Sequence, residues 1–147
     1  MIYSHKHKLI ILDTNVIISA HLTKHDDAAT RKVYQAATDE FCWLLYSEDI
    51  LREYIRVLHY PKFQFDKATI RGILDYIVAH GLKLSADPAD IKLVDHTDQP
   101  FFDLVTTKSA GVPLLITGNL RHYPVCHFVM SPRRFYLRGG VMRAGRP

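Results

Sequence analysis

The chain has 147 residues, of which 48% are hydrophobic and 23% charged, and its formal net charge is +4. This size fits one domain with a single core and leaves no need for a second domain. The longest apolar run falls short of the ~18 residues of a membrane span, and the basic N-terminus lacks a signal-peptide cleavage site. A cytoplasmic protein without a membrane partner is therefore expected. Cys42 and Cys126 lack paired spacing, which favours core thiols over a disulfide or a zinc site.

Charge is unevenly distributed along the chain. All fifteen acidic residues lie at or before Asp103, whereas residues 104–147 contain seven lysines and arginines. Acids in one part and arginines in another fit a metal centre beside an anionic substrate, and a solvated basic tail is the alternative. Residues 138–147 have three glycines and few apolar anchors. They are expected to form a flexible basic tail after a domain that spans residues 1–137.

The first predicted element is a strand that ends at an acid. The apolar run over residues 9–12 stops at Asp13, which Thr14 and Asn15 follow. This pattern is typical of a buried strand in a parallel sheet, whose carboxyl end is where open α/β sheets bind ligands. A carboxylate there is suited to Mg²⁺. The alternative is that Asp13 only caps the following helix.

Helices and strands alternate along the rest of the chain. Helices are predicted over about residues 15–21, 28–38, 48–58, 66–80 and 98–109. Strands are predicted over 41–46, 82–84, 112–117 and 128–130. The polar segment 85–97 is expected to be a loop. This alternation predicts an α/β fold with a mostly parallel central sheet.

The third predicted helix places one acid at the edge of its buried face. Ser47 is a favourable N-cap for this helix. At about 100° per residue, Glu53 falls at the border of the apolar stripe, while Arg52 and Arg56 fall on the opposite side. Glu53 is thus able to face the protein at its surface edge, and a solvated glutamate is the alternative.

The fifth predicted helix separates two acids. Asp98 shares the face of Phe101 and Phe102, whereas Asp103 points about 140° away on the same wheel. Because an unpaired buried carboxylate is costly, Asp98 needs a cation, a capping role or protonation. With Pro100 in the first turn, a helix cap explains Asp98 as well as a metal ligand does.

A second strand end carries polar residues. The strand over 112–117 leads into Gly118 and Asn119, much as the first strand leads into Asp13. Parallel strands would bring Asp13 and Asn119 to one edge, where an asparagine can offer a carbonyl oxygen to a metal or position a water. Arg121 and His122 follow closely enough in sequence to reach a phosphate at this edge.

These segments together resemble the PIN-domain nucleases, especially the branch described as toxin components of toxin–antitoxin pairs. The resemblance extends from about Leu9 to Leu137 and is carried by residues 12–16, 47–54, 98–103, 117–124 and 131–135. It implies a three-layer α/β/α fold and a metal-dependent endoribonuclease that leaves a 3′-hydroxyl and a 5′-phosphate. It also implies RNA as the substrate, a cognate antitoxin and a homodimer.

The resemblance assigns roles to individual residues. The ligands of Mg²⁺ or Mn²⁺ map to Asp13, Glu53 and Asp98, which with Asn119 form the implied catalytic set. Asp103 and Asn119 are lower-ranked ligands, and many PIN domains have an acid where this chain has Asn119, which leaves the number of metals open. The implied substrate-binding residues are Thr14, Asn15, Arg121 and His122.

Two other classes of protein are alternatives to the nuclease. A catalytically silent PIN-like module that binds RNA or a partner would keep the fold, and the missing acid at Asn119 favours it. A haloacid-dehalogenase-like phosphatase also begins with an acid after its first strand. Such a phosphatase needs a second acid at position 15, where this chain has Asn15.

Overall fold

The computed structural model describes residues 8–38 and 42–137 and shows five strands and six α-helices in this part of the chain. The strands are β1 (Lys8–Leu12), β2 (Cys42–Tyr46), β3 (Leu82–Lys83), β4 (Leu114–Ile116) and β5 (Val129–Met130). The helices are α1 (Thr14–Leu22), α2 (Ala29–Ala37), α3 (Glu48–Leu58), α4 (Lys67–His80), α5 (Gln99–Val105) and α6 (Pro132–Leu137). Short 3₁₀ turns cover Pro61–Phe63, Lys108–Ala110 and Leu120–His122.

The five strands form one parallel sheet in the order β3-β2-β1-β4-β5, with helices on its faces. The prediction of a mostly parallel sheet in a three-layer α/β/α fold is confirmed. β1 is central, and its residues Ile10, Ile11 and Leu12 are fully buried. The backbone N–H of Asp13 donates to the carbonyl of Ile116 at 2.9 Å. The carboxyl ends of β1 and β4 therefore lie side by side.

Most predicted elements agree with the structure, and the differences have local causes. The predicted fifth helix is shorter at its end, because the hydroxyls of Thr106 and Thr107 donate to the carbonyls of Phe102 and Asp103 as a 3₁₀ turn begins. Helix α6 was not predicted, although Ser131 caps it by accepting from the N–H of Arg134 at 3.1 Å. The basic N-terminus, residue 41 of the second strand and the tail over 138–147 lie outside the described residues.

No helix within residues 8–38 and 42–137 combines the length and the apolarity that a membrane crossing requires.

Tyr54 fastens α3 to the end of β1. Its side chain is fully buried, and its hydroxyl donates to the carbonyl of Leu12 at 2.6 Å. We expect Tyr54→Phe to lower the free energy of unfolding by about 1–3 kcal/mol, because a buried acceptor loses its donor. Urea denaturation measures this loss. Tyr76→Phe, an exposed change on α4, is the control, and equal stabilities of the two variants would contradict the expectation.

Candidate active site

A cleft of about 790 Å³ lies at the carboxyl ends of β1 and β4. The sequence-predicted site residues that line it are Asp13, Thr14, Asn15, Glu53, Asp98, Asn119 and His122. Asp103 and Arg121, both within the described chain, do not line it. The fold thus brings residues from four separate parts of the chain to one surface.

Asp13 is a buried acid without a capping role. It occupies the N-cap position of α1, yet its side chain makes no capping hydrogen bond. Instead Oδ2 accepts from the hydroxyls of Thr117 at 2.8 Å and Tyr123 at 2.9 Å. Only 4% of Asp13 is exposed, and burial raises the pKa of its carboxyl despite these hydrogen bonds. The alternative of a simple helix cap is therefore wrong in this structure.

Asp98 lies in a closely spaced group with Asp95 and His122. Ligand atoms of these three side chains lie within 4.8 Å of one another, and Asp98 Oδ2 is 3.0 Å from Nδ1 of His122. Asp98 precedes α5 but makes no capping hydrogen bond with its side chain. Burial raises the pKa of Asp98, and the charges of Asp13 and Asp95 raise it further. Asp98 is therefore placed for a ligand rather than as a cap.

Asp95 was not among the predicted site residues, because it belongs to the segment 85–97, which was predicted only to be a polar loop. Its Oδ1 accepts from the N–H of Thr97 at 2.9 Å and from the Thr97 hydroxyl at 2.7 Å. The sequence Asp95-His96-Thr97 carries the signal for such a turn, since aspartate side chains commonly bond the backbone two residues on. This turn holds Asp95 at the mouth of the cleft.

Glu53 faces the cleft as predicted, but it is paired with an arginine. Arg56 donates from Nε to Oε2 at 3.1 Å and from Nη2 to Oε1 at 2.7 Å. The prediction that Arg56 points away from the buried face of α3 was wrong for its guanidinium. The side chain of Arg56 is long enough to reach Glu53, three residues earlier in the helix. Glu53 is not part of the Asp95, Asp98 and His122 group found among the described residues.

Thr14 and Asn15 shape the floor of the cleft. Thr14 is 6% exposed, and its buried Oγ1 has no hydrogen-bond partner among the described residues. Asn15 Oδ1 accepts from the N–H of Gly118 at 2.8 Å, which ties α1 to the end of β4. A Cβ on residue 118 would lie 3.0 Å from this oxygen, so the close approach favours glycine. Asn15 thus has a structural contact, whereas the Thr14 hydroxyl is buried.

Asp103 lies outside the cleft and fastens the preceding loop. Its Oδ1 accepts from the N–H of Ala89 at 2.9 Å and from Nε2 of Gln99 at 2.8 Å. Asp103, the lower-ranked candidate ligand, is therefore not placed to bind a metal in the cleft, because its carboxylate accepts hydrogen bonds from Ala89 and Gln99. This agrees with the helical wheel, which placed Asp103 and Asp98 on different faces of the helix.

The 3₁₀ turn after β4 presents His122 rather than Arg121 to the cleft. Arg121 is exposed and does not line the cleft, whereas His122 approaches Asp98. Asn119 precedes this turn, lines the cleft and is exposed. A phosphate-binding role for Arg121 therefore requires substrate that extends past the cleft.

The residues present fit a divalent cation. Carboxylate oxygens suit Mg²⁺ and Mn²⁺, and an imidazole nitrogen adds a donor that Mn²⁺ accepts more readily than Mg²⁺. Burial raises the pKa values of Asp13 and Asp98, and the charges of Asp13 and Asp95 raise that of Asp98 further. A cation would offset these effects. Thr14, whose buried hydroxyl has no hydrogen-bond partner in residues 8–38 and 42–137, is among the residues that line the same cleft. The donor set and the electrostatics thus agree.

Comparison with known proteins identifies a family. The family model described as "PIN domain" matches residues 9–121, which include the predicted acids and Asn119 and end one residue before His122. No match was found among the curated proteins or among the solved structures.

Proposed function

Because the chain belongs to the PIN-domain family, whose members are generally metal-dependent nucleases, we propose that it is an endoribonuclease that uses Mg²⁺ or Mn²⁺. The observation that carries the proposal is the convergence of two buried acids, Asp13 and Asp98, in the cleft that also contains Asp95 and His122. Burial raises the pKa values of both acids, an effect that a bound cation would offset.

Individual side chains would divide the work of phosphodiester hydrolysis. Asp13 and Asp98, with Asp95, His122 and the nearby Glu53, would hold the cation. Such a cation supplies a water of lowered pKa and neutralises charge on the phosphate.

The remaining residues act on the ligands and the substrate. Tyr123 holds Asp13 in place, and burial raises the pKa of its hydroxyl, which keeps it a donor. Thr14 and Asn119 would orient water or phosphate, and Arg121 would bind phosphate beyond the cleft. The expected products carry a 3′-hydroxyl and a 5′-phosphate.

A circular RNA tests this proposal directly. An endonuclease converts a circle to linear products, which an exonuclease is unable to do because the circle has no end. We expect cleavage with Mn²⁺ or Mg²⁺ and none in EDTA. Binding of the circle without cleavage under any of these conditions would favour the silent RNA-binding module instead.

His122 provides a test of metal selectivity. Because an imidazole nitrogen suits Mn²⁺ better than Mg²⁺, the wild type should bind Mn²⁺ more tightly. His122→Ala should weaken Mn²⁺ binding by at least the roughly tenfold that loss of an outer partner of a metal ligand costs, and Mg²⁺ binding by less. Isothermal titration calorimetry measures both affinities. Equal losses for the two metals would remove His122 from the ligand set.

We further propose that the protein is the toxin of a toxin–antitoxin pair and acts as a homodimer. The support is the resemblance of its segments to that branch of the family. Expression without a partner should arrest growth of a bacterial host, whereas expression of Asp13→Asn should not. Growth arrest by both the wild type and Asp13→Asn would show that toxicity does not depend on the acids of the cleft. Analytical ultracentrifugation tests whether the protein is a dimer.

A further inference from the structure

One wall of the cleft is aromatic and cationic. It is formed by Arg56, Tyr60, Lys62 and Phe63, which we call the aromatic wall. The planes of the Tyr60 and Phe63 rings differ by only 9°, and their centroids are 6.3 Å apart. Both rings are half-buried. Two nearly parallel aromatic faces thus border the cleft that contains the acids.

The local sequence holds these two rings in register. Pro61 begins the 3₁₀ turn, and the N–H of Phe63 donates to the carbonyl of Tyr60 at 3.1 Å. Residues three apart in a 3₁₀ turn project in the same direction. Gln64 then ends the turn with a left-handed φ of 58°. The backbone of the turn therefore places both rings on the same side.

Two cations accompany the rings. Lys62 Nζ lies 5.2 Å from the centroid of Phe63, and among the described residues it has no ion-pair partner. Arg56 donates to Glu53 and also to the hydroxyl of Tyr60. Arg56 thus connects the aromatic wall to Glu53, an acid that also lines the cleft.

We propose that Tyr60 and Phe63 of the aromatic wall form a stacking site for unpaired bases of the substrate RNA. Bases of any sequence stack on aromatic rings, and cations beside the rings attract the backbone phosphates. Lys62 is the cation available for a phosphate, while the acids across the cleft would meet the next phosphodiester. Bases inside an A-form duplex are already stacked on each other and present no face to the wall. This inference rests on the proposed ribonuclease function.

Binding without metal tests the wall separately from cleavage. The probe is a 12-nucleotide RNA of mixed sequence with a central 2-aminopurine, used as a single strand and annealed to its complement, in EDTA. Fluorescence anisotropy of a terminal label gives the affinity, and quenching of 2-aminopurine reports stacking. We expect the wild type to bind the single strand more tightly than the duplex and to quench the base analogue.

Two pairs of variants isolate the ring faces. Phe63→Leu and Tyr60→Leu keep apolar bulk but remove the rings, and each should weaken single-strand binding about tenfold or more and abolish quenching. Phe63→Tyr and Tyr60→Phe keep the rings and should retain both. Tyr76→Leu is the matched control, since Tyr76 pairs with His80 on α4 and does not line the cleft. Thermal denaturation of each variant identifies any that fail to fold.

The outcomes separate this inference from the nuclease proposal. The base-stacking role of the aromatic wall would be overturned, even if RNA is cleaved, by either of two results. One is unchanged RNA binding by folded Phe63→Leu and Tyr60→Leu, and the other is equal affinity of the wild type for the single strand and the duplex. Loss of binding on ring removal, with rescue by the ring-retaining variants, would establish the wall even if no metal supports cleavage. No binding of the single strand by the wild type also overturns the inference.

Discussion

Replacing Asp13 by asparagine should make the metal-free protein more stable and the nuclease inactive. Burial raises the pKa of this carboxyl, so at neutral pH the fold carries the cost of a desolvated charge. An amide oxygen at residue 13 is still able to accept from Thr117 and Tyr123 and carries no charge. We expect a higher melting temperature in EDTA and cleavage reduced by about a hundredfold or more, the scale of removing one electrostatic contact to the transition state.

The pH dependence of this gain has a defined sign. Because the pKa of Asp13 in the fold lies above its ordinary value of 3.8, stability is lost as pH rises through the folded pKa. The advantage of Asp13→Asn over the wild type should therefore grow from pH 4 towards neutrality. Calorimetric melting in EDTA across this range measures it. Asp75→Asn, an exposed change on α4, is the matched control.

Added metal should reverse the ranking of the two proteins. A cation at a hundredfold excess over its Kd stabilises the form that binds it by about 2.7 kcal/mol. The wild type should gain this amount with Mn²⁺, and Asp13→Asn should gain much less. A variant that is less stable than the wild type in EDTA and responds equally to Mn²⁺ would show that Asp13 is a structural residue.

The sheet was predictable because its signals are local. The run over 9–12 has no polar interruption, and Ser47, the predicted N-cap of the third helix, does accept a cap hydrogen bond. The end of α5 was less predictable. It depends on the hydroxyls of Thr106 and Thr107, which donate to carbonyls of the preceding helical turn. Helix propensity alone does not show whether the helix ends at such residues or continues.

Three acids of the cleft, Asp13, Glu53 and Asp98, were predictable from strand ends and helix faces, but Asp95 and the partners of these acids were not. Tyr123 donates to an acid 110 residues earlier in the chain, and no spacing in the sequence encodes that contact. Asp95 belongs to a loop whose path is fixed by Asp103, through the N–H of Ala89. Arg56 needed only the reach of a long side chain. The sequence therefore predicted that Asp13, Glu53 and Asp98 lie near one another but missed Asp95, and the groups that hold these acids follow from tertiary packing.

Asp98 and Asp103 should respond differently to substitution, although they lie only five positions apart in the chain. Asp98→Asn should weaken Mn²⁺ binding and slow single-turnover cleavage by about a hundredfold, because it removes a charge beside Asp95 and His122. Asp103→Asn should change neither, since its amide oxygen is still able to accept from the N–H of Ala89. Asp103→Leu should lower the free energy of unfolding by about 1–3 kcal/mol and leave the metal affinity of the folded protein unchanged. A larger loss of cleavage in Asp103→Asn than in Asp98→Asn would place the metal on the other side of α5.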